Sequence, residues 1–311
     1  MSTPVKSIAP SQAFFSQNSF EQALRETQKM VESSLAAIID SLDGNNTILP
    51  QAIKYASLNG GKRLRPFLCM VLGQVLKAPK KSCIRVGCAI ELLHSYSLIH
   101  DDLPAMDNAD LRRGKPSCHV QFDEATAILA GDAMIAYAFE ILSAPETDID
   151  PQVRCELVQL MAQAAGPEGM ALGQMMDIQS EREILSKDRL NRLHKLKTGL
   201  LIEFSCTAPA ILAKTSSQTK SHVQSYGQKI GLLFQIVDDI LDAEGDPIAL
   251  GKPTGRDQDL RKNTYVSLYG LEEAKRKAHD LYEAALNDLN SIGGEADLLK
   301  EVTHFLISRK I

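Results

Sequence analysis

Two aspartate clusters stand far apart in this chain, each closing an apolar run rich in helix formers. The first reads His100-Asp101-Asp102-Leu103-Pro104-Ala105-Met106-Asp107, the second Asp238-Asp239-Ile240-Leu241-Asp242. Carboxylates gathered in a cleft repel one another and need compensating charge. A hard divalent cation supplies it, and Mg²⁺ binds through a few carboxylates, several waters and the phosphates of a substrate. On a helix Asp238 and Asp242 share a face one turn apart, a spacing that disfavours like charges without a cation. Asp101 and Asp102 end a helix that Pro104 disturbs, and Asp107 and Asp110 follow in the irregular piece. A solvated acidic helix end is the plainer alternative. It is weakened at the second cluster by the preceding apolar run, residues 231–237.

Cations lie beside these acids. Arg112, Arg113 and Lys115 directly follow the first cluster, as if a phosphate bridged metal on one side and guanidinium on the other. Gly60-Gly61-Lys62-Arg63-Leu64-Arg65-Pro66 opens a helix, where Lys and Arg complement the macrodipole poorly and a bound anion explains them better. A surface salt-bridge patch and a basic surface turn remain the simpler readings of these two runs. Lys197, Lys252 and Lys262 are isolated cations, of which Lys197 stands out because it lies inside a long apolar helix. His94, on the helix that ends at Asp101, carries no signal by itself. There is no Walker A loop, G-x-G-x-x-G, H-E-x-x-H or G-x-S-x-G, so nucleotide, hydride, zinc and serine chemistry lack support.

The elements that must hold these residues are helical throughout, with no convincing alternating strand pattern. The periodicity predicts helices over 19–41, from after Pro50 to Gly60, 64–77, 82–103, 123–142, 151–165, 168–182, 187–213, 218–243, 264–291 and 296–309, with a polar loop at 107–121. No linker divides them. The expectation is an all-α, single-domain bundle of about ten or more helices over 19–311, after a flexible lead-in over 1–18. A hydrophobic content of 44% and a net charge of −5 suit a globular protein without general affinity for nucleic acid. The six cysteines show no C-x-x-C pair and no zinc-like spacing and read as reduced packing residues, no uninterrupted apolar run is expected to reach membrane-spanning length, and the start lacks a signal-peptide pattern. A cytoplasmic protein without stable membrane insertion follows as an expectation.

The segments GGKRLRP (60–66), ELLHSYSLIHDDLPAMDNADLRRGKPSCH (91–119), AILAGDAM (127–134), GMALGQMMDI (169–178), HKLKTG (194–199), FQIVDDILDAEGD (234–246) and GKPTGRDQDLRKNTY (251–265) give the chain its resemblance. In this order it resembles the trans-isoprenyl diphosphate synthases, most closely the bacterial-type farnesyl diphosphate synthases, from about residue 20 to 309. The resemblance implies a bundle around a deep central cavity, a homodimer, and Mg²⁺-dependent head-to-tail condensation of isopentenyl diphosphate with dimethylallyl or geranyl diphosphate. About three Mg²⁺ would be held by Asp101, Asp102, Asp107, Asp238, Asp239 and Asp242. Arg112, Lys197 and Lys252 would contact the allylic diphosphate, and Lys62, Arg65, His94 and Arg113 isopentenyl diphosphate. Lys262 would belong to the closing tail of the second region. Thr198 and Gln235 would line the carbocation region beside Lys197, and Gln174 would support the metal. Tyr96, with Ser97, would set chain length, five residues or roughly 7.5 Å below Asp101. A phenol there goes with a C15 product; the rival is a C20 synthase. A class I terpene cyclase would not need Lys62, Arg65 and Arg113, and a non-catalytic subunit would have lost aspartates from one cluster.

Overall fold

The structure, a computed structural model, describes residues 14–15, 19–180, 183, 185–244, 263–294 and 296–308. It is built of helices: α1 Phe20–Asp40, α2 Ile48–Ser57, α3 Leu64–Leu76, α4 Lys80–Asp101, α5 Cys118–Gln121, α6 Glu124–Ser143 and α7 Pro151–Ala165. Then come α8 Met170–Ser180, α9 Lys187–His194, α10 Leu200–Leu212, α11 Ser217–Glu244, α12 Tyr265–Tyr269, α13 Leu271–Ile292 and α14 Asp297–Ser308. The all-α expectation holds.

Burial explains the arrangement. In α1 the buried residues Ala23, Thr27, Val31, Leu35 and Ile39 recur every fourth position, giving one apolar stripe and hence an outer helix. In α10 nearly every residue from Leu201 to Leu212 is buried, including Pro209, so this helix is surrounded. It packs against α3, α7 and α11, while α6 lies along α4 and α13 along α11. The buried apolar side chains form one cluster running through all of these.

Several sequence expectations need correction. The stretch read as one helix over 187–213 is interrupted by a π-helical turn, Lys195–Gly199, which carries Lys197 and Thr198. Such turns widen the backbone locally and recur at functional sites. Helix α2 begins before Pro50, which sits in its first turn where a missing N–H is tolerated. Gly270 divides the expected 264–291 helix into α12 and α13. The polar loop at 107–121 contains a small antiparallel hairpin, β1 Leu111–Arg112 with β2 Lys115–Pro116, followed by α5. Within the expected lead-in, Phe14 and Phe15 are buried; Phe15 packs on Phe67, and the backbone N–H of Phe14 donates to Gln74 Oε1 at 2.7 Å. Two adjacent phenyl rings are reason enough to dock.

Asp132 and Glu140 interrupt the apolar sequence of α6, which is otherwise rich in Ala, Ile and Leu. By length and composition α6 could cross a membrane, and among the described residues it is the one helix that could. One face is buried on α4, and the other leaves Ile128 and Leu129 43% and 58% exposed.

Candidate active site

The basic motif that opens α3 is shaped by Gly61, whose φ of +115° suits glycine and whose missing side chain makes room for Arg113. A Cβ there would meet the Arg113 guanidinium at 2.6 Å. Arg113 donates to the carbonyl of Gly60, and its own positive φ, with that of Gly114, forms the hairpin turn. Arg63 is 3% exposed and serves the scaffold: it donates to Glu32 at 3.2 Å, Glu91 at 2.7 Å and the Ser57 carbonyl at 2.7 Å. Its neighbours Lys62 and Arg65 line a cavity of about 240 Å³ together with His94, Arg113, Phe234 and Phe305. Lys62 lies over the ring of Phe305, 5.6 Å from its centroid.

This cavity concentrates positive charge. Burial lowers the pKa of Arg65, Glu91 and Asp238 oppose that shift, and Arg113 adds to it. Burial, then the guanidinium groups of Arg65, Arg113, Arg63 and Arg112, hold His94 well below the ordinary histidine range, so it is a neutral imidazole. Among the described residues Arg65 Nε is buried without a hydrogen-bond partner. A neutral imidazole, an unpartnered guanidinium nitrogen and three cations around one hollow suit a polyanion of diphosphate size.

The first aspartate cluster divides on folding. Asp101 is the last residue of α4 and half-buried; its carboxyl is pushed up to about 6, first by burial, with Lys197 and Arg112 opposing and Asp107 and Asp102 adding. Asp102, 2% exposed, is instead gripped by Arg112, whose Nε donates to both carboxylate oxygens at 3.0 and 3.1 Å. Asp107 is exposed, and its N–H bonds the Asp101 carbonyl at 2.9 Å, folding the irregular piece back over the helix end.

The π-helical turn joins the two acidic regions. Lys197 Nζ lies 2.5 Å from Asp177 Oδ2 of α8. Burial disfavours its ammonium, but Asp177, then Asp101 and Asp107, outweigh that and leave the pKa raised. Gly173 of α8 packs directly on the Lys197 backbone, where a Cβ could not fit. The next residue, Thr198, donates to Gln235 Oε1 of α11 at 3.3 Å, and Gln235 Nε2 donates to Asp239 Oδ1 at 3.0 Å. Asp238 is exposed and Asp242 partly buried, while Asp239 is buried. Tyr96 is half-buried and edge-on to His100 at 5.6 Å; Ser97 donates to the His94 carbonyl at 2.8 Å. Lys252 and Lys262 lie outside the described residues.

The sequence reading missed Asp177, Glu91 and Arg63. Asp177 carried a usable signal, lying one turn after Gln174 on the same face of α8. Arg63 did not, because nothing local shows which of three adjacent cations turns inward. The oxygens of both acidic clusters are hard carboxylate donors, which suit Mg²⁺ and not a soft metal. Among the described residues no group of three or more His, Cys, Asp and Glu could hold a metal alone. That fits an ion that keeps waters and takes the rest of its ligands from phosphate. Gln174 Oε1, buried and unpartnered among the described residues, could accept from such a water.

Residues 46–301 match the family model for polyprenyl synthetase. A farnesyl diphosphate synthase of Haemophilus influenzae is 45% identical over 94% of this chain and 99% of its own length. Among solved structures, an apo FPP/GFPP synthase from Zymomonas mobilis superposes with a TM-score of 0.84 at 39% identity, covering 92% of this chain and 98% of that one. A geranyltransferase from Helicobacter pylori, complexed with magnesium and isoprenyl diphosphate, gives 0.76 at 34% identity, covering 92% and 96%.

Proposed function

The chain belongs to the polyprenyl synthetase family, and from that premise we propose that it condenses isopentenyl diphosphate with dimethylallyl and then geranyl diphosphate to give farnesyl diphosphate. The observation that carries this reading is the pairing of two anion sites. One is the cation-lined cavity of Lys62, Arg65, His94 and Arg113; the other lies where Lys197 faces Asp101 and Asp107. A terpene cyclase would have no use for the first.

Magnesium, when bound, supplies positive charge against the allylic diphosphate; Asp101, Asp107, Asp238 and Asp242 would hold it, with Gln174 behind. Lys197, kept charged by Asp177, and Arg112, aimed by Asp102, meet the same leaving group, with Lys252 proposed beside them. Lys62, Arg65 and Arg113 bind the second diphosphate as cations, and His94 as a neutral donor. They hold the isopentenyl double bond toward allylic C1. The C–O bond breaks, the new C–C bond forms, and a C2 proton leaves to the departing pyrophosphate. Thr198 and Gln235 offer oxygens to the transient positive charge, and the apolar walls keep water away.

The test is purified protein with isopentenyl and dimethylallyl diphosphate, Mg²⁺ present or chelated, and products sized by chromatography. C15 product only with Mg²⁺ is expected. A C20 main product supports the longer-chain rival, and hydrocarbon released from farnesyl diphosphate alone would replace the reading with a cyclase. A chain inactive alone that stimulates another synthase would instead be the non-catalytic subunit.

Acid should weaken this site. Asp101 has a folded pKa of about 6, above its unfolded value of 3.8, so between these values the native state holds the extra proton. The group's contribution to stability therefore declines as pH rises through that window and is flat above it. Mg²⁺ needs the ionised carboxylate, so half-saturating Mg²⁺ is expected to climb by up to about tenfold per pH unit below about 6. Activity at pH 5.5 should recover when Mg²⁺ is raised; a loss that no Mg²⁺ concentration repairs refutes the assignment.

The same reading includes one domain over 19–311, a cytoplasmic location and a homodimer formed by the outer face of α6. Ile128 and Leu129 are large apolar residues that solvent-facing helices seldom carry together. Leu129→Glu is expected to convert a dimer into monomers in sedimentation velocity. A dimer that survives it is held by another face.

A further inference from the structure

The second aspartate cluster behaves as two kinds of residue. Asp238 is exposed and Asp242, one turn on, is partly buried, whereas Asp239 is 5% exposed and turned inward. Its Oδ1 accepts from Gln235 Nε2 at 3.0 Å, and its Oδ2 accepts the backbone N–H of Tyr265 at 2.7 Å. Tyr265 begins α12 and is itself held: its hydroxyl donates to Asn191 Oδ1, and its ring stacks at 5.2 Å on Tyr269. One residue earlier, Thr264 and Ser267 close a capping box around the start of the same helix. The Tyr265 N–H is therefore a fixed donor.

Hydrogen-bond polarity then propagates. A carboxylate can only accept, so Gln235 must turn its NH₂ toward Asp239 and its carbonyl toward Thr198. Facing a carbonyl oxygen, the Thr198 hydroxyl must donate, at 3.3 Å. What Thr198 keeps for its surroundings is a pair of oxygen lone pairs. Thr198 follows Lys197, whose ammonium faces the first aspartate cluster, in the π-helical turn.

We propose that Asp239 is a positioning residue and not a metal ligand: anchored by Tyr265, it sets the direction of the Gln235–Thr198 hydrogen bond so that Thr198 offers lone pairs to positive charge forming in the cleft. A hydroxyl held the other way round would present its proton there, and the interaction would change sign. The kinetic part of this inference rests on the prenyl-transfer reading; the metal part does not.

Asp239→Asn separates the possibilities. The introduced amide can still accept from Tyr265 through its oxygen, but its NH₂ then faces Gln235, which flips and makes Thr198 an acceptor. Inorganic pyrophosphate binding in Mg²⁺, measured by calorimetry, is expected to stay within about twofold of wild type, while Asp238→Asn weakens it by about tenfold or more. The kcat of Asp239→Asn should fall about tenfold to a hundredfold with little change in KM, since the lost interaction belongs to the charged state. Adding Gln235→Glu to that variant restores an acceptor toward both the introduced amide and Thr198, and is expected to recover at least about tenfold in kcat. A Gln235→Met variant leaves the Asp239–Tyr265 bond in place and should reproduce the kcat loss with unchanged pyrophosphate affinity. If Asp239→Asn does not fold, an unchanged kcat in Gln235→Met still overturns the proposal.

Pyrophosphate affinity that drops in Asp239→Asn as far as in Asp238→Asn makes Asp239 a ligand and ends the proposal. A kcat unchanged in Asp239→Asn or Gln235→Met, or a loss that Gln235→Glu does not repair, overturns it equally. If the wild-type protein forms no prenyl product, the functional reading fails separately, and the pyrophosphate comparison still decides whether Asp239 binds metal.

Discussion

Asp238→Ala is expected to lower kcat by at least about a thousandfold while circular dichroism and melting temperature stay near wild type. Asp238 is exposed near the end of α11, so its loss removes charge without opening the core. Asp102→Ala should also abolish turnover, but by a different route. Its carboxylate is buried and aims Arg112 through Nε at 3.0 and 3.1 Å, so removal strands a guanidinium and frees it to leave the site. A fall in melting temperature of several degrees should therefore accompany the Asp102 variant and not the Asp238 variant. Steady-state rates over a Mg²⁺ titration, with thermal melts of both proteins, make the comparison. Near-normal turnover in Asp238→Ala would remove it from the metal set, and an unaltered melt in Asp102→Ala would refute its role as the Arg112 anchor.

Tyr96→Ala should lengthen the product from C15 to C20. Tyr96 is on α4, below Asp101, and its phenol is fixed edge-on against His100 with ring planes at 83°. His100 in turn bonds the Ile128 carbonyl of α6 at 3.2 Å, so the tyrosine leans on a braced partner and cannot simply swing aside. Burial, then the Asp101 charge, raise the phenol pKa, which places the ring near the acids and keeps it neutral. Replacing it by a methyl group removes a wall of aromatic size from the path a growing prenyl chain would follow. Chromatography of the product after phosphatase treatment reads the outcome directly. A product that stays at C15 means that another residue, Ser97 or one beyond it, forms the floor.

Much of this was legible before folding. Apolar periodicity found the helices to within a few residues, and Pro151–Ala165 matched at both ends. It failed where the backbone departs from one period: at the π-helical turn inside 187–213, at Gly270, and in the hairpin at 111–116. None of these changes residue composition enough to register. Phe14 and Phe15 were misread because two apolar residues in a polar segment look like surface until a groove is there to receive them.

What the amino-acid sequence determined by itself was the inventory of charge. Two acidic clusters, two basic runs, a lysine in an apolar helix and their order along the chain specify the family and its chemistry, because residue type alone sets what can bind metal or phosphate. Only the tertiary structure decided which member of each cluster is buried. Asp101 and Asp102, like Asp238 and Asp239, differ by about 100° around a helix, and that rotation leaves Asp101 and Asp238 the more exposed and buries Asp102 and Asp239. Each inward aspartate then meets a donor from a separate element, Arg112 of the hairpin for one and the Tyr265 N–H of α12 for the other. Such pairings depend on how elements pack, and no local pattern encodes them.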